Sequence, residues 1–271
     1  MGWAPRARQL LLAVSGLTLL TASASAARSD LPASSPHDDT ACARPALWVV
    51  SDSDTIIYLF GTIHTHDGRA HWFDHAVRRA FDASTTLVLE TIVPMQMPGA
   101  AAPESAGLAA ARATIGTARR LGMRVDLGAD QVLHRAADAA GKSVIGLESF
   151  KSQIDMYRAL PSPGHPAAAA TPAATTPSDP AVAPFLRALV DGWNQGDASR
   201  IEAVVGAVRT QSPDAYRRLF ADRNTAWAQW IAKRLDQPGI VFVAVGTGHL
   251  VGTDSVQARL ASSGVRSARI S

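Results

Sequence analysis

Two apolar, strand-like runs in this chain stop at the same signature. Thr55 to Phe60 is followed by Gly61-Thr62-Ile63-His64, and Ile240 to Val245 is followed by Gly246-Thr247-Gly248-His249. The two segments lie near opposite ends of the sequence, so only tertiary structure can bring them together. A glycine after a buried strand allows a sharp turn or a close backbone approach. The histidine then stands at the strand's carboxyl end, the edge of an open α/β sheet where ligands bind. Two imidazoles delivered to one edge point to metal or acid–base chemistry.

The intervening pattern alternates strand with helix. Ala46 to Val50 and Thr55 to Phe60 read as a hairpin turned by Ser51 to Asp54. Helical spacing follows over His75 to Asp82, then a short strand, Thr86 to Leu89, with Glu90 at its end. Ala100 to Leu121 reads as helical in part, broken by Gly107 and Gly116. Gln131 to Ala140 is a stronger helix, and Lys142 to Leu147 another strand-like run, ending in Glu148. Helices are expected at Lys151 to Leu160, Phe185 to Gly192, Ala198 to Arg209 and Asp214 to Leu235. After His249, Asp254 is a candidate cap for a helix through Leu260, and Val265 to Ile270 a candidate edge strand. The expectation is an α/β fold: a central mixed β-sheet flanked by helices, with the Gly-x-x-His motifs at strand ends.

Four apolar runs therefore end in His64, Glu90, Glu148 and His249. Should they run parallel in one sheet, those side chains converge. Two imidazoles with one or two carboxylates suit a divalent metal such as Zn, Mn, Fe or Co. A carboxylate outside the ligand set would serve as general base. Gly246 and Gly248 leave room for a ligand beside His249, and Gly61 allows a sharp turn or a close backbone approach. Arg223 and Asn224 sit on a helix beside the apolar residues Leu219, Phe220, Trp227 and Ile231, where Arg223 can grip a carboxylate or face solvent. His66, His71 and His75 cluster locally with His64 but fit neither helical nor strand spacing.

Other classes are excluded by what surrounds these motifs. There is no G-x-S-x-G elbow and no H-E-x-x-H helix, and too little chain follows Gly246-x-Gly248 for a dinucleotide-binding unit. No stripe of Lys and Arg argues for nucleic acid.

Arg6 and Arg8, the apolar stretch Leu10 to Leu20, and Ala24-Ser25-Ala26 read as a secretory signal over residues 1–26. The stretch is short for a bilayer span. Losing the two arginines takes the formal charge from +3 to +1, so the basic balance says little about partners. Residues 27–45 read as a flexible leader, and residues 46–271 as one domain interrupted by a Pro/Ala/Thr-rich insert at about 161–181. With a single cysteine, Cys42, an internal disulfide is ruled out and the fold must rest on its core.

The ordered set Tyr58 to His64, Leu87 to Glu90, Gly146-Leu147-Glu148 with Gln153, Trp193 to Asp197, Arg223-Asn224 with Trp227, and Val243 to Leu250 resembles the TraB/GumN family. That family is related to the Tiki metalloproteases and more distantly to erythromycin esterase-like and ChaN-like proteins. The signal-like segment makes an exported protein, secreted or periplasmic, the expectation, and the resemblance implies an α/β fold with both Gly-x-x-His motifs and a glutamate in one pocket. It implies a metal-dependent hydrolase of the peptidase or amidase type. His64, Glu90 and His249 would hold the divalent metal (Mn, Co or Zn), and Arg223 would orient substrate or support structure. Glu148 and Asn224, with the motif glycines, would complete the ligand-binding set. The substrate expected is a peptide or small molecule. Two alternatives are a non-catalytic binder of haem or another small ligand, and a metal-free esterase-like hydrolase with a histidine as base.

Overall fold

A computed structural model describes residues 43–73, 75–93, 105–160 and 182–271. The expected signal segment, Cys42 and the Pro161 to Pro180 insert lie outside these residues. The last part of the expected leader belongs to the fold: Ala43 is buried, its N–H donates to His71 O (2.9 Å), and Arg44 N–H donates to Asn194 O (2.7 Å).

Six strands form one sheet in the order β4-β3-β5-β2-β1-β6. They are β1 (Leu47–Ser51), β2 (Thr55–Thr62), β3 (Thr86–Leu89), β4 (Ser143–Gly146), β5 (Gly239–Gly246) and β6 (Ser267–Arg269). β1 and β2 make the expected hairpin, closed by Asp52 Oδ1 accepting from Asp54 N–H and Thr55 N–H. β2, β5, β3 and β4 are parallel neighbours, whereas β1 runs antiparallel to β2 and to β6. Parallel pairing requires a crossover between strands, and helices supply it. These are α1 (His75–Ala83), α2 (Ala106–Arg120), α3 (Ala129–Ala139), α4 (Phe150–Arg158), α5 (Val182–Gln195), α6 (Ala198–Gln211), α7 (Pro213–Tyr216), α8 (Asp222–Arg234) and α9 (Val256–Ser262).

Strand alternation splits the core between the two faces of the sheet. Leu47, Phe60, Leu87, Phe242 and Ala244 pack with α1 to α6 on one side. Val50, Ile57, Leu59, Val88, Val241, Val243 and Val245 meet Trp227 and Ile231 of α8 and Leu260 of α9 on the other. Burial on both faces explains why β2 and β5 read as almost continuous apolar runs. Among the described residues no helix is long and apolar enough to cross a membrane.

Three expectations need correction. Gly107 and Gly116 do not break α2. A Cβ at Gly107 would collide with Tyr157 O, so this glycine lets α2 lie against α4. The helix expected over Asp214 to Leu235 contains a π-helical turn, Arg217–Ala221, between α7 and α8. Ser255 rather than Asp254 caps α9, accepting from Ala258 N–H (3.2 Å). Asp254 instead accepts from Tyr216 Oη (2.8 Å) and Arg259 Nη2 (2.6 Å).

Candidate functional site

The strand register sets the site. Thr62 pairs with Gly246, and Leu89 pairs with both Ala244 and Gly146. β2 and β5 thus end level, β3 and β4 end level with each other two residues earlier, and the residues just beyond all four share the carboxyl edge. Gly61 is where the two Gly-x-x-His segments meet. A Cβ there would stand 2.9 Å from Thr247 Oγ1 and 3.2 Å from Thr247 Cα. Close approach of the two segments, as expected of a glycine after a buried strand, explains this residue. Trp193 fixes the same turn by donating from Nε1 to Gly61 O (2.7 Å). Gly248 is buried in the short helical turn Thr247–Leu250, which carries His249.

Arg223 is the centre of the polar network. Its Nη2 donates to Glu90 Oε2 (2.6 Å) and to Glu148 Oε1 (2.6 Å), and its Nε to Glu148 Oε2 (3.1 Å). Its Nη1 lies 3.2 Å from Leu219 O and 3.1 Å from His249 Nε2. Leu219 belongs to the π-helical turn, whose widened backbone presents this carbonyl one turn before Arg223; such turns often mark functional positions. The guanidinium also lies over the Trp227 ring, 4.5 Å from its centroid. Sequence left Arg223 open between a solvated flank and a carboxylate clamp. It clamps two carboxylates of the protein itself.

Glu90 is held by Arg223 on one oxygen and by Gly246 N–H on the other (2.6 Å). Burial alone would raise its carboxyl pKa. The Arg223 charge, helped by His249, His64 and the Gly246 N–H, instead brings it down to about 2. Arg223 remains a cation because Glu90 and Glu148 outweigh its burial. Glu148 behaves differently: burial, with Glu90 nearby, raises it despite Arg223. Gln153 supports it from α4, donating from Nε2 to Glu148 Oε1 (3.4 Å).

His249 has no exposure and lies between the Trp227 and Phe220 rings, at 4.4 and 5.0 Å between centroids. Asn224 Nδ2 donates to Asp254 O (2.8 Å), which leaves Asn224 Oδ1 as acceptor, 2.6 Å from His249 Nδ1. Nδ1 therefore carries the proton and Nε2 accepts from Arg223. Burial and the neighbouring guanidinium bring His249 down to about 3.

His64 is set apart from this network. Its Nδ1 stands 3.1 Å from Asp130 Oδ1, an ion-pair distance without an aligned hydrogen bond, and both ring nitrogens are otherwise unpartnered. Burial lowers its pKa, but the Asp130 carboxylate, with Glu90 beyond it, outweighs both burial and the opposing Arg223 charge and raises it. Asp130 arrives because the start of α3 docks directly on the His64 turn: Ala129 N–H donates to Ile63 O (2.8 Å), and Gly128 packs against His64 O with no room for a Cβ. Sequence reasoning missed Asp130. The one available signal was a helix opening on a glycine, Gly128, with an acidic residue two positions on.

Exposure divides the group. His64 and Glu148 keep 15% and 16% of their side-chain surface, whereas Glu90, Arg223 and His249 keep 6%, 7% and 0%. The first two reach the surface of the edge; the others lie beneath it. His66 belongs elsewhere, with Nε2 3.2 Å from Asn194 Oδ1 and Nδ1 accepting from Gly68 N–H (2.9 Å). His71 and His75 are exposed.

Eight side-chain nitrogen or oxygen atoms among the described residues are buried without a hydrogen-bond partner. Six belong to Thr62, His64, Thr91, Asp130 and Gln153, all at or beside this sheet edge. Buried polar atoms are normally satisfied, and six of these eight gather at this one edge. The three residues expected to hold a metal do not form a ready ligand set. Arg223 and Gly246 N–H take the oxygens of Glu90, and Arg223 takes His249 Nε2. Among the described residues no group of three or more His, Cys, Asp or Glu is arranged to hold a metal ion.

Fold and site define an α/β protein whose parallel strands gather one histidine and two glutamates on a buried arginine, with a second histidine beside Asp130 at the same edge. A sequence model of the TraB/PrgY/gumN family matches residues 46–102 and 92–269, and the chain belongs to that family. No curated protein and no solved structure matches it.

Proposed function

We propose that this chain is an exported hydrolase of amide or ester bonds in a peptide or small molecule, with His64 as general base. The observation that carries the reading is the state of His64. It is the partly exposed histidine of the pair, with a carboxylate against Nδ1 and nothing bonded to Nε2. A carboxylate at one ring nitrogen orients and charges a base, and an unbonded second nitrogen keeps a lone pair to take a proton. In this reading His64 takes a proton from the water that attacks the carbonyl carbon. Glu148, whose proton affinity is raised by burial, is the group placed to give a proton to the departing amine or alcohol. Glu90, Arg223, His249 and Asn224 form the rigid frame that holds Glu148 in place.

A second reading is the divalent-metal chemistry that the family resemblance implies, with Mn, Co or Zn held by His64, Glu90 and His249. The unpartnered ring nitrogens of His64 favour it. It requires Arg223 to release Glu90 and His249, so no step is routed through a metal here.

The experiment is cleavage of a fluorogenic peptide library and an ester panel by the purified mature protein, with chelator and with each metal added in turn. His64→Ala should cut kcat/KM by about 100-fold or more, since positioned acid–base groups contribute roughly 10²–10⁴. Activity that appears only with added metal would favour the second reading. An unimpaired His64→Ala would remove His64 as the base, and a wild type that cleaves nothing would remove the hydrolase reading and leave the ligand-binding one.

A further inference from the structure

We infer that the substrate carries a protonated amine close to the bond that is cleaved, and that a carboxylate in that place is rejected. This rests on the hydrolase reading for its chemistry but on separate observations for its charge.

The first observation is the saturation of Arg223. A guanidinium has five N–H donors. Here Nε is spent on Glu148 Oε2, the two of Nη2 on Glu148 Oε1 and Glu90 Oε2, and the two of Nη1 on Leu219 O and His249 Nε2. None is left for a substrate anion. To bind one, Arg223 would have to abandon Glu90 or Glu148 and leave a buried carboxylate uncompensated, which is costly.

The second observation is the sign of what remains. Glu90, Glu148 and Asp130 place three carboxylates around one guanidinium and the His64 ring. The third is the chemistry of the unpartnered atoms. Asp130 Oδ1 and Gln153 Oε1 are buried without an aligned partner, in residues only 7% and 1% exposed, and neither atom can donate. Three carboxylates face one fixed cation, and these two atoms can only accept. A primary ammonium meets both conditions with one charge and three donors. Asp130 Oδ1, the charged acceptor of the two, is its anchor, and it lies beside the base.

Three N-acetyl 4-nitroanilides of matched length test this: those of lysine, norleucine and 2-aminoadipate. The expected order of kcat/KM is lysine, then norleucine, then aminoadipate, with steps of about tenfold from the charge interactions. In Asp130→Asn the lysine-to-norleucine ratio should fall toward one, whatever happens to the absolute rates. Should that variant fail to fold, the wild-type order alone decides. An aminoadipate substrate as fast as norleucine overturns the inference. Cleavage of none of the three counts against the hydrolase reading instead, and the charge inference is then read by calorimetry with 1,5-diaminopentane and glutarate. Binding of the diamine alone upholds it; binding of glutarate, or of neither, overturns it.

Discussion

Arg223 Nη1 lies 3.1 Å from His249 Nε2, so a permanent cation donates to an imidazole that solvent does not reach. That imidazole must stay neutral, because a second positive charge there would meet the first with no water to screen it. The neutral ring accepts from Arg223 and donates to Asn224, and it links the second Gly-x-x-His motif to the helix that carries both partners.

One consequence is acid lability. His249 is depressed from 6.5 to about 3 and Glu90 from 4.5 to about 2. In both cases the unfolded chain binds the proton more readily, so stability falls as pH drops, first from about 6.5 to 3 and then through the carboxylate range. The raised pKa values of His64 and Glu148 act in the opposite direction and offset part of the loss. Urea midpoints measured from pH 7 to 3 should decline steadily, and His249→Gln should flatten the part between pH 6.5 and 4. A wild-type midpoint that holds constant over this range would mean that His249 is not depressed.

Arg223→Met leaves two carboxylates without their cation in a buried site. Breaking a buried pair in this way costs about 3–5 kcal/mol. Adding Glu90→Gln and Glu148→Gln to Arg223→Met removes the stranded charges and should recover most of that loss in chemical denaturation. Equal stability of single and triple variants would show that the network is not electrostatically coupled.

Gly61→Ala forces a methyl group against Thr247 and pushes the two motif segments apart. The cost should be about 1–3 kcal/mol, the usual range for overpacking. Pairing it with Thr247→Ala removes the nearest atom but not the Thr247 backbone at 3.2 Å, so recovery should be partial. Gly107→Ala should cost more than Gly61→Ala, because the obstacle is the Tyr157 carbonyl, which cannot rotate away. Thermal melts of the three variants rank these effects.

The sheet and the convergence of His64, Glu90, Glu148 and His249 were legible because strand ends are local signals. An apolar run followed by glycine and a polar residue announces itself, and burial on both faces makes the run conspicuous. The π-helical turn before Arg223 was not legible, since Arg217 to Ala221 has the composition of an ordinary helix. Nor was Asp130, whose place beside His64 depends on how closely Gly128 approaches a distant turn. The saturation of Arg223 was equally hidden: spacing shows that an arginine is near carboxylates, not how many of its donors they use. Gly107 and Gly116 misled because a glycine read as a helix breaker can instead be a contact point between helices.

The division of labour between the two motif histidines is most directly tested by ¹⁵N NMR of the imidazole rings across pH 4 to 8. His249 should remain neutral with its proton on Nδ1 throughout, while His64 titrates with a pKa above 6.5. A His249 that gains a proton in this range, or that carries it on Nε2 when neutral, would contradict the network around Arg223 and with it the assignment of His64 as the reactive base.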